Sequence, residues 1–231
     1  MAVHFNPAGI KFLQGLEKHN DREWFGARKY IYERELKVPM LEIVGEINHA
    51  MLDFAPDFVR DPAKCVMRIY RDIRFSKNKK PYKTNVSAWW ARHGMEKTSG
   101  GGYYLQISAT EVMIAAGVYM PEKEQLLAIR RMLVERHDDY RTMVSNRKMK
   151  SLGIVPFDGL TMARGPKGFD ATGPAGDLIL QQQWGVSSRL PIETALEICL
   201  VKEIVARLRA CTPLVHLLNE PLIANGRKPL F

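Results

Sequence analysis

Cysteine is scarce in this chain, with three in 231 residues, at positions 65, 199 and 211. An odd number at unrelated spacings argues against a disulfide framework and suits a reducing compartment. Each cysteine has apolar neighbours, which predicts three buried, inert thiols. Long apolar runs are missing too, and none approaches the roughly 18 residues that a membrane helix needs. The opening MAVHFNPAGIKFL has neither the basic start nor the long apolar core of a signal peptide. These absences predict a soluble, cytoplasmic protein with no membrane partner. The six histidines show no H-E-x-x-H or Cys/His spacing, so no metal site is expected. There is no G-x-x-x-x-G-K-[ST] loop and no G-x-S-x-G elbow, which removes the P-loop and nucleophile-elbow readings. Acid is in short supply: 25 Asp and Glu face 34 Lys and Arg, for a net charge of +9. That excess favours anionic partners without specifying a fold.

What is present is ordinary globular material, 46% hydrophobic and 26% charged. The length can bury a large core without staples. No internal repeat, low-complexity tract or linker interrupts it, so the expectation is a single α+β domain over 1–231. The first third reads as helices. Asn6-Pro7 is an N-cap followed by proline at the first helical position, with Phe5 placed to staple onto Ile10. Ile10, Leu13 and Leu16 form its stripe. Asn20 with Glu23 three residues on predicts a capping box for a second helix carrying Trp24, Phe25, Ile31, Tyr32 and Leu36. Pro39 is expected to break or restart the chain. Met40, Val44, Ile47, Met51 and Phe54 then repeat at helical spacing.

The period changes at 66. From 66 to 76 residues alternate, Met67, Ile69, Ile73 and Phe75 against Arg68, Tyr70, Asp72, Arg74 and Ser76, which predicts a half-buried strand. A turn at 76–81 and a returning strand over 84–90 complete a hairpin. A polar, glycine-rich loop follows over 91–102, then strands over 103–108 and 112–119 with a turn at Ala109-Thr110-Glu111. Short spacing implies antiparallel pairing, with helices before, between and after the strands. A helix led by Pro121 runs to about 137, and 138–150 adds another. The stretch 151–178 reads as ordered loop with short strands. A last long helix over 192–210 is expected to stop at Thr212-Pro213, with a short one over 214–219.

The hairpin RIYRDIRFSKNKKPYKT, residues 68–84, interleaves cations with Ile, Phe and Tyr, which a disordered basic tail does not do. Arg68, Asp72 and Arg74 share one face, the turn adds Lys77, Lys79 and Lys80, and Lys83 follows Tyr82. Guanidinium forks suit phosphate or carboxylate. Arg71 falls on the apolar side, which requires a partly polar face, a bulge or a buried acid. Asp72 neutralising two arginines in a purely structural ladder fits the same residues.

This stretch resembles the signature of the family called domain of unknown function 2461, approximately R-x-x-R-D-x-R-F-S-K-D-K-T-P-Y-K-T. The resemblance extends to Asn20-Asp21-Arg22-Glu23-Trp24-Phe25, to 32–39, to Tyr103-Tyr104-Leu105-Gln106-Ile107, and to the loop Arg164-Gly165-Pro166-Lys167-Gly168-Phe169-Asp170. It implies one domain over nearly the whole chain and no particular chemistry. The sequence departs from the signature at Asn78, where the family carries Asp, and at Lys80, where it carries Thr. An Asp at 78 with a catalytic or metal role would be lost here.

Two further features are candidates. The 164–170 loop can cradle an anion with Arg164 and Lys167, or be a turn shaped by Asp170. Arg22 and Trp24 can reach a ligand, or cap and pack. Gly100, Gly101 and Gly102 read as a flexible loop. Three functions remain open. The first is a pocket for a small anion, an enzyme being one form of it, built from Arg68, Arg71, Arg74 and Lys83, closed by Lys167, with Asp72 or Tyr82 moving a proton. The second is a nucleic-acid-binding module using Tyr70, Tyr82, Trp89 or Trp90 for stacking. The third is a scaffold with a salt-bridged hairpin. No cofactor and no oligomeric state follow from these residues.

Overall fold

Asn6 does cap the first helix, α1 (Pro7–Lys18), its Oδ1 accepting from Gly9 N at 3.0 Å. The structure, a computed structural model, describes residues 3–95 and 100–224. The second helix, α2 (Arg22–Tyr32), is capped by Asp21 and not by Asn20: Asp21 Oδ1 accepts from Trp24 N at 2.8 Å. Asn20 is used elsewhere, as shown below.

Pro39 does not stop the chain. A π-helical turn, Glu33–Lys37, carries the helix directly into α3 (Val38–Met51). Proline has no N–H for the Glu35 carbonyl, and one widened turn absorbs the missing bond and the ring. α1 crosses at this turn. A Cβ on Gly9 would lie 2.7 Å from the Glu35 carbonyl oxygen, so only glycine permits that approach. The Glu35 side chain is buried and bonded to Asn6 and Arg34, and both hold its carboxyl below the usual range.

After a 3₁₀ turn (Pro56–Phe58) and the short α4 (Pro62–Cys65), the chain enters the basic segment and then the sheet. Among the described residues, five antiparallel strands take the order β1-β2-β3-β5-β4: β1 (Val86–Ala91), β2 (Gly102–Ile107), β3 (Glu111–Val118), β4 (Val155–Pro156) and β5 (Trp184–Pro191). The hairpin of β2 and β3 turns where the sequence places it. β5 lies between β3 and β4, in register from Glu111↔Pro191 to Val118↔Trp184. It was not visible in the sequence because most of it is buried on both faces, so no alternation marks it.

Between β3 and β5 lie α5 (Lys123–Val144), with a Glu122/Gln125 capping box, α6 (Arg147–Ser151) and α7 (Gly176–Leu180). A 3₁₀ turn (Ile192–Leu196) leads to α8 (Leu200–Ala224). α8 corrects the expectation of a stop at Pro213, since it runs through both Pro213 and Pro221. Leu208, Cys211, Leu214, Val215 and Leu218 are buried on either side of Pro213, and that packing outweighs one missing hydrogen bond. α3 packs on β1, and α8 on β3, β5 and α3, while α5 packs on α8 and α7. The core lies between this helical layer and the sheet face carrying Trp90, Tyr103, Leu105, Ile114 and Val186.

Cys65 and Cys211 are buried, and burial pushes the Cys211 thiol up to about 12. Cys199 is exposed, contrary to expectation, because 197–199 form the surface link between the 3₁₀ turn and α8. No helix among the described residues is long and apolar enough to cross a membrane.

Candidate functional site

The stretch 66–76 is not a regular strand. It makes two isolated bridges, Val66↔Ala88 and Tyr70↔Tyr82. Backbone bonds from Met67 N to Ser87 O (2.8 Å), Lys83 N to Ile69 O (2.8 Å) and Arg71 N to Pro81 O (2.9 Å) hold its root. The return side carries more residues between the bridges than the outgoing side and bends at Thr84 and Asn85. Beyond Arg71 the ladder stops because local side chains take the donors. Asp72 Oδ1 accepts from Arg74 N at 3.2 Å, and Asn78 Oδ1 accepts from Lys80 N at 3.0 Å. Residues 72–80 thus form an irregular tip on a short arm. Phe75, expected on the buried side, is 96% exposed. The Asn78 turn needs only a side-chain acceptor, which Asp supplies equally, so the departure at this position preserves the local structure.

The root is fixed to the helices by Asn20. Its Oδ1 accepts from Tyr82 N and its Nδ2 donates to Tyr82 O, both at 3.0 Å, as a neighbouring strand would. The Tyr82 ring stacks on Phe25 with centroids 4.1 Å apart, and Tyr70 lies 5.4 Å from Tyr82. Burial raises the Tyr82 phenol pKa, with the Arg22 charge pulling against it. The Arg74 guanidinium holds Asp72 down to about 2. The Asp72 shift is downward and the Tyr82 shift upward, each away from neutral pH.

An open groove of about 430 Å³ lies where the arm meets the α1–α2 turn. Arg71, Lys80 and Lys83 line it, together with Glu17, Asn20, Asn78, Tyr82, Thr84 and Asn85. Arg71 is therefore on a polar, open side and needs no buried acid; its Nη1 also donates to Lys80 O at 3.3 Å.

The other expected residues are elsewhere. Arg74 is held by Asp72 in a two-pronged pair, Nε–Oδ1 3.0 Å and Nη2–Oδ2 2.7 Å, and the Arg68 charge also bears on Asp72. Lys77 and Lys79 are exposed at the tip, with Lys79 Nζ donating to Ile73 O at 3.0 Å. Trp24 packs on Phe12 and His19, its ring lies over Gly15, and Arg28 covers it at 4.7 Å, so it serves the helix pair. Arg22 is exposed. Arg164 and Lys167 do not close the groove: their loop returns beside α7 and β5, through Met162 N to Leu180 O and Gln182 N to Leu160 O, whereas the arm borders β1. Asp170 shapes that loop, accepting from Thr172 N and Oγ1 at 2.8 and 2.6 Å.

The stacking candidates fare unevenly. Tyr82 and Trp90 are buried, Trp90 Nε1 donating to Asn48 Oδ1 at 2.8 Å, and the half-buried Trp89 ring covers Gly102. Tyr70 keeps 49% exposure. The triple glycine is not a flexible loop at Gly101, which is buried and held on both sides by Asn219: Gly101 N to Oδ1 at 2.8 Å and Nδ2 to Gly101 O at 3.0 Å. The polar loop before it extends over 96–99, outside the described residues. Glu17, Asn20, Thr84 and Asn85 were missed; Asn20 and Thr84 stood inside resembling motifs, and Glu17 and Asn85 did not.

The family model described as "Conserved hypothetical protein (DUF2461)" matches residues 8–217. No curated protein and no solved structure matches. With nearly its whole length matched, the chain belongs to this family.

Proposed function

We propose that this family member binds a small phosphate- or carboxylate-bearing ligand in the groove between the α1–α2 turn and the arm. One observation carries the reading: among the described residues, Arg71, Lys80 and Lys83 share this groove with a single carboxylate, Glu17. A planar guanidinium beside two ammonium groups suits a polyvalent anion. The amides of Asn20 and Asn78 and the Thr84 hydroxyl add polar atoms for its remaining oxygens. The reading is of binding, carried by the charges and polar atoms that line the groove. We also propose a reducing cytoplasm as its compartment, which suits three cysteines that stand as thiols.

The test is a thermal-shift panel of phosphate, pyrophosphate, nucleotides and sugar phosphates at low and moderate salt. It compares the parent chain with the double variant Arg71→Gln, Lys83→Gln. A ligand at about 100 times its Kd adds roughly 2.7 kcal/mol, or several degrees for a chain of this size. The expected result is a shift by one class of small anion that persists at moderate salt and disappears in the double variant. No shift with any anion, or an unchanged shift in the variant, overturns the reading.

A further inference from the structure

We propose that the tip of the arm, together with the exposed Arg68 of its root, is a separate interaction surface for single-stranded nucleic acid, with Phe75 stacking on a base and Arg68, Lys77 and Lys79 meeting phosphates. Phe75 is 96% exposed, more than any other large hydrophobic side chain among the described residues, and it does not line the groove. The tip that carries it is organised in advance. Asp72 and Asn78 close local turns on Arg74 N and Lys80 N, Lys79 Nζ donates to Ile73 O, and Arg71 Nη1 donates to Lys80 O. The Arg74 guanidinium, fixed by Asp72, lies over the Phe75 ring at 5.9 Å from its centroid and adds a cation to a ring that stays exposed. The tip therefore offers an open aromatic face inside a field of cations whose one carboxylate is already neutralised. Half-exposed Tyr70 stands lower on the same arm.

Cations that follow a phosphate backbone, with an aromatic ring for a base, are the recurring means of holding a single strand. A bilayer fits less well. Interfacial anchoring uses an apolar face, and here a single exposed apolar residue is flanked by Arg74 and Ser76. Phosphodiester charge suits both partners, but one ring is enough for one base and too little for an apolar face.

The experiment is fluorescence anisotropy of a labelled twelve-nucleotide oligo-dT with the full chain at low and moderate salt. Parallel arms use a duplex of the same length and vesicles of phosphatidylcholine with phosphatidylserine. Because Phe75 touches little, Phe75→Ala should fold with an unchanged melting temperature. The expected result is oligo-dT binding that Phe75→Ala weakens about tenfold or more, with weaker binding to the duplex. Lys77→Gln with Lys79→Gln should flatten the salt dependence by a slope on the order of one. The proposal is overturned if oligo-dT does not bind at low salt or if Phe75→Ala binds as tightly as the parent. It is also overturned if only the vesicles are bound. Phosphate-induced thermal shifts should be unaffected by Phe75→Ala, which separates this surface from the groove.

Discussion

Asn20 is the residue on which the site's geometry turns. Its amide satisfies both backbone groups of Tyr82, so Asn20→Ala leaves a donor and an acceptor without their partners. A loss of about 1–3 kcal/mol is expected in urea unfolding, together with loss of any groove ligand; a change under 0.5 kcal/mol would show that the clasp is incidental. Asn20 had looked like a helix cap, and the neighbouring Asp21 takes that role. Two adjacent residues can each cap, and only the tertiary partner of one decides between them. Asp72 gives a second residue-scale prediction. Its carboxyl is pulled from 3.8 to about 2 by the Arg74 hydrogen bonds, so the pair contributes fully above 3.8 and is lost as pH falls through about 2. An NMR titration of Asp72 should place its midpoint near that lower value and move it up toward 3.8 in Arg74→Gln. An unmoved midpoint would mean that Arg74 is not its partner in solution.

At the scale of elements, helices with caps and one-sided stripes were legible, as α1 shows from Asn6 to Leu16. Elements shaped by distant contacts were not. The hydrophobic alternation of 66–76 is real, but Asp72 and Asn78 redirect the donors that a ladder would need, and no periodicity records that. Pro39 and Pro213 carry the ordinary breaker signal, yet packing on both sides of each keeps the helix going. The crossing of α1 on the π turn is a tight one. Gly9→Ala drives a Cβ to 2.7 Å from a backbone oxygen, which cannot swing aside as a side chain can. A cost of about 1–3 kcal/mol in thermal or urea unfolding is expected, whereas Gly26→Ala, with nothing near its added methyl, should be harmless. The arm's thin ladder also predicts where proteolysis begins. Trypsin should cut at Arg74, Lys77 or Lys79 before Arg130 in α5 or Arg189 in β5; earlier cleavage at either of those would contradict the arm's exposure.

For the whole molecule, Asn219 repeats the clasp of Asn20 at the other end of the chain, tying α8 to Gly101. The two clasps share no partner. Asn219→Ala should cost about 1–3 kcal/mol, and the double variant with Asn20→Ala should lose the sum to within about 0.5 kcal/mol. A larger deviation in urea unfolding would reveal coupling between the arm root and α8. Neither clasp shows in the sequence, because an asparagine that mimics a strand has no periodicity of its own.

The two ends of the arm are built from different chemistry. Its root is held by uncharged groups, the Asn20 amide, three backbone bonds and a stacked ring pair, and its tip by the Asn78 turn together with charged groups open to solvent, the Asp72–Arg74 pair and the Lys79 and Arg71 bonds to backbone oxygens. Salt screens exposed charges and leaves amide clasps and ring contacts largely alone. Ionic strength therefore tunes how the tip holds its shape while the place from which it projects stays constant.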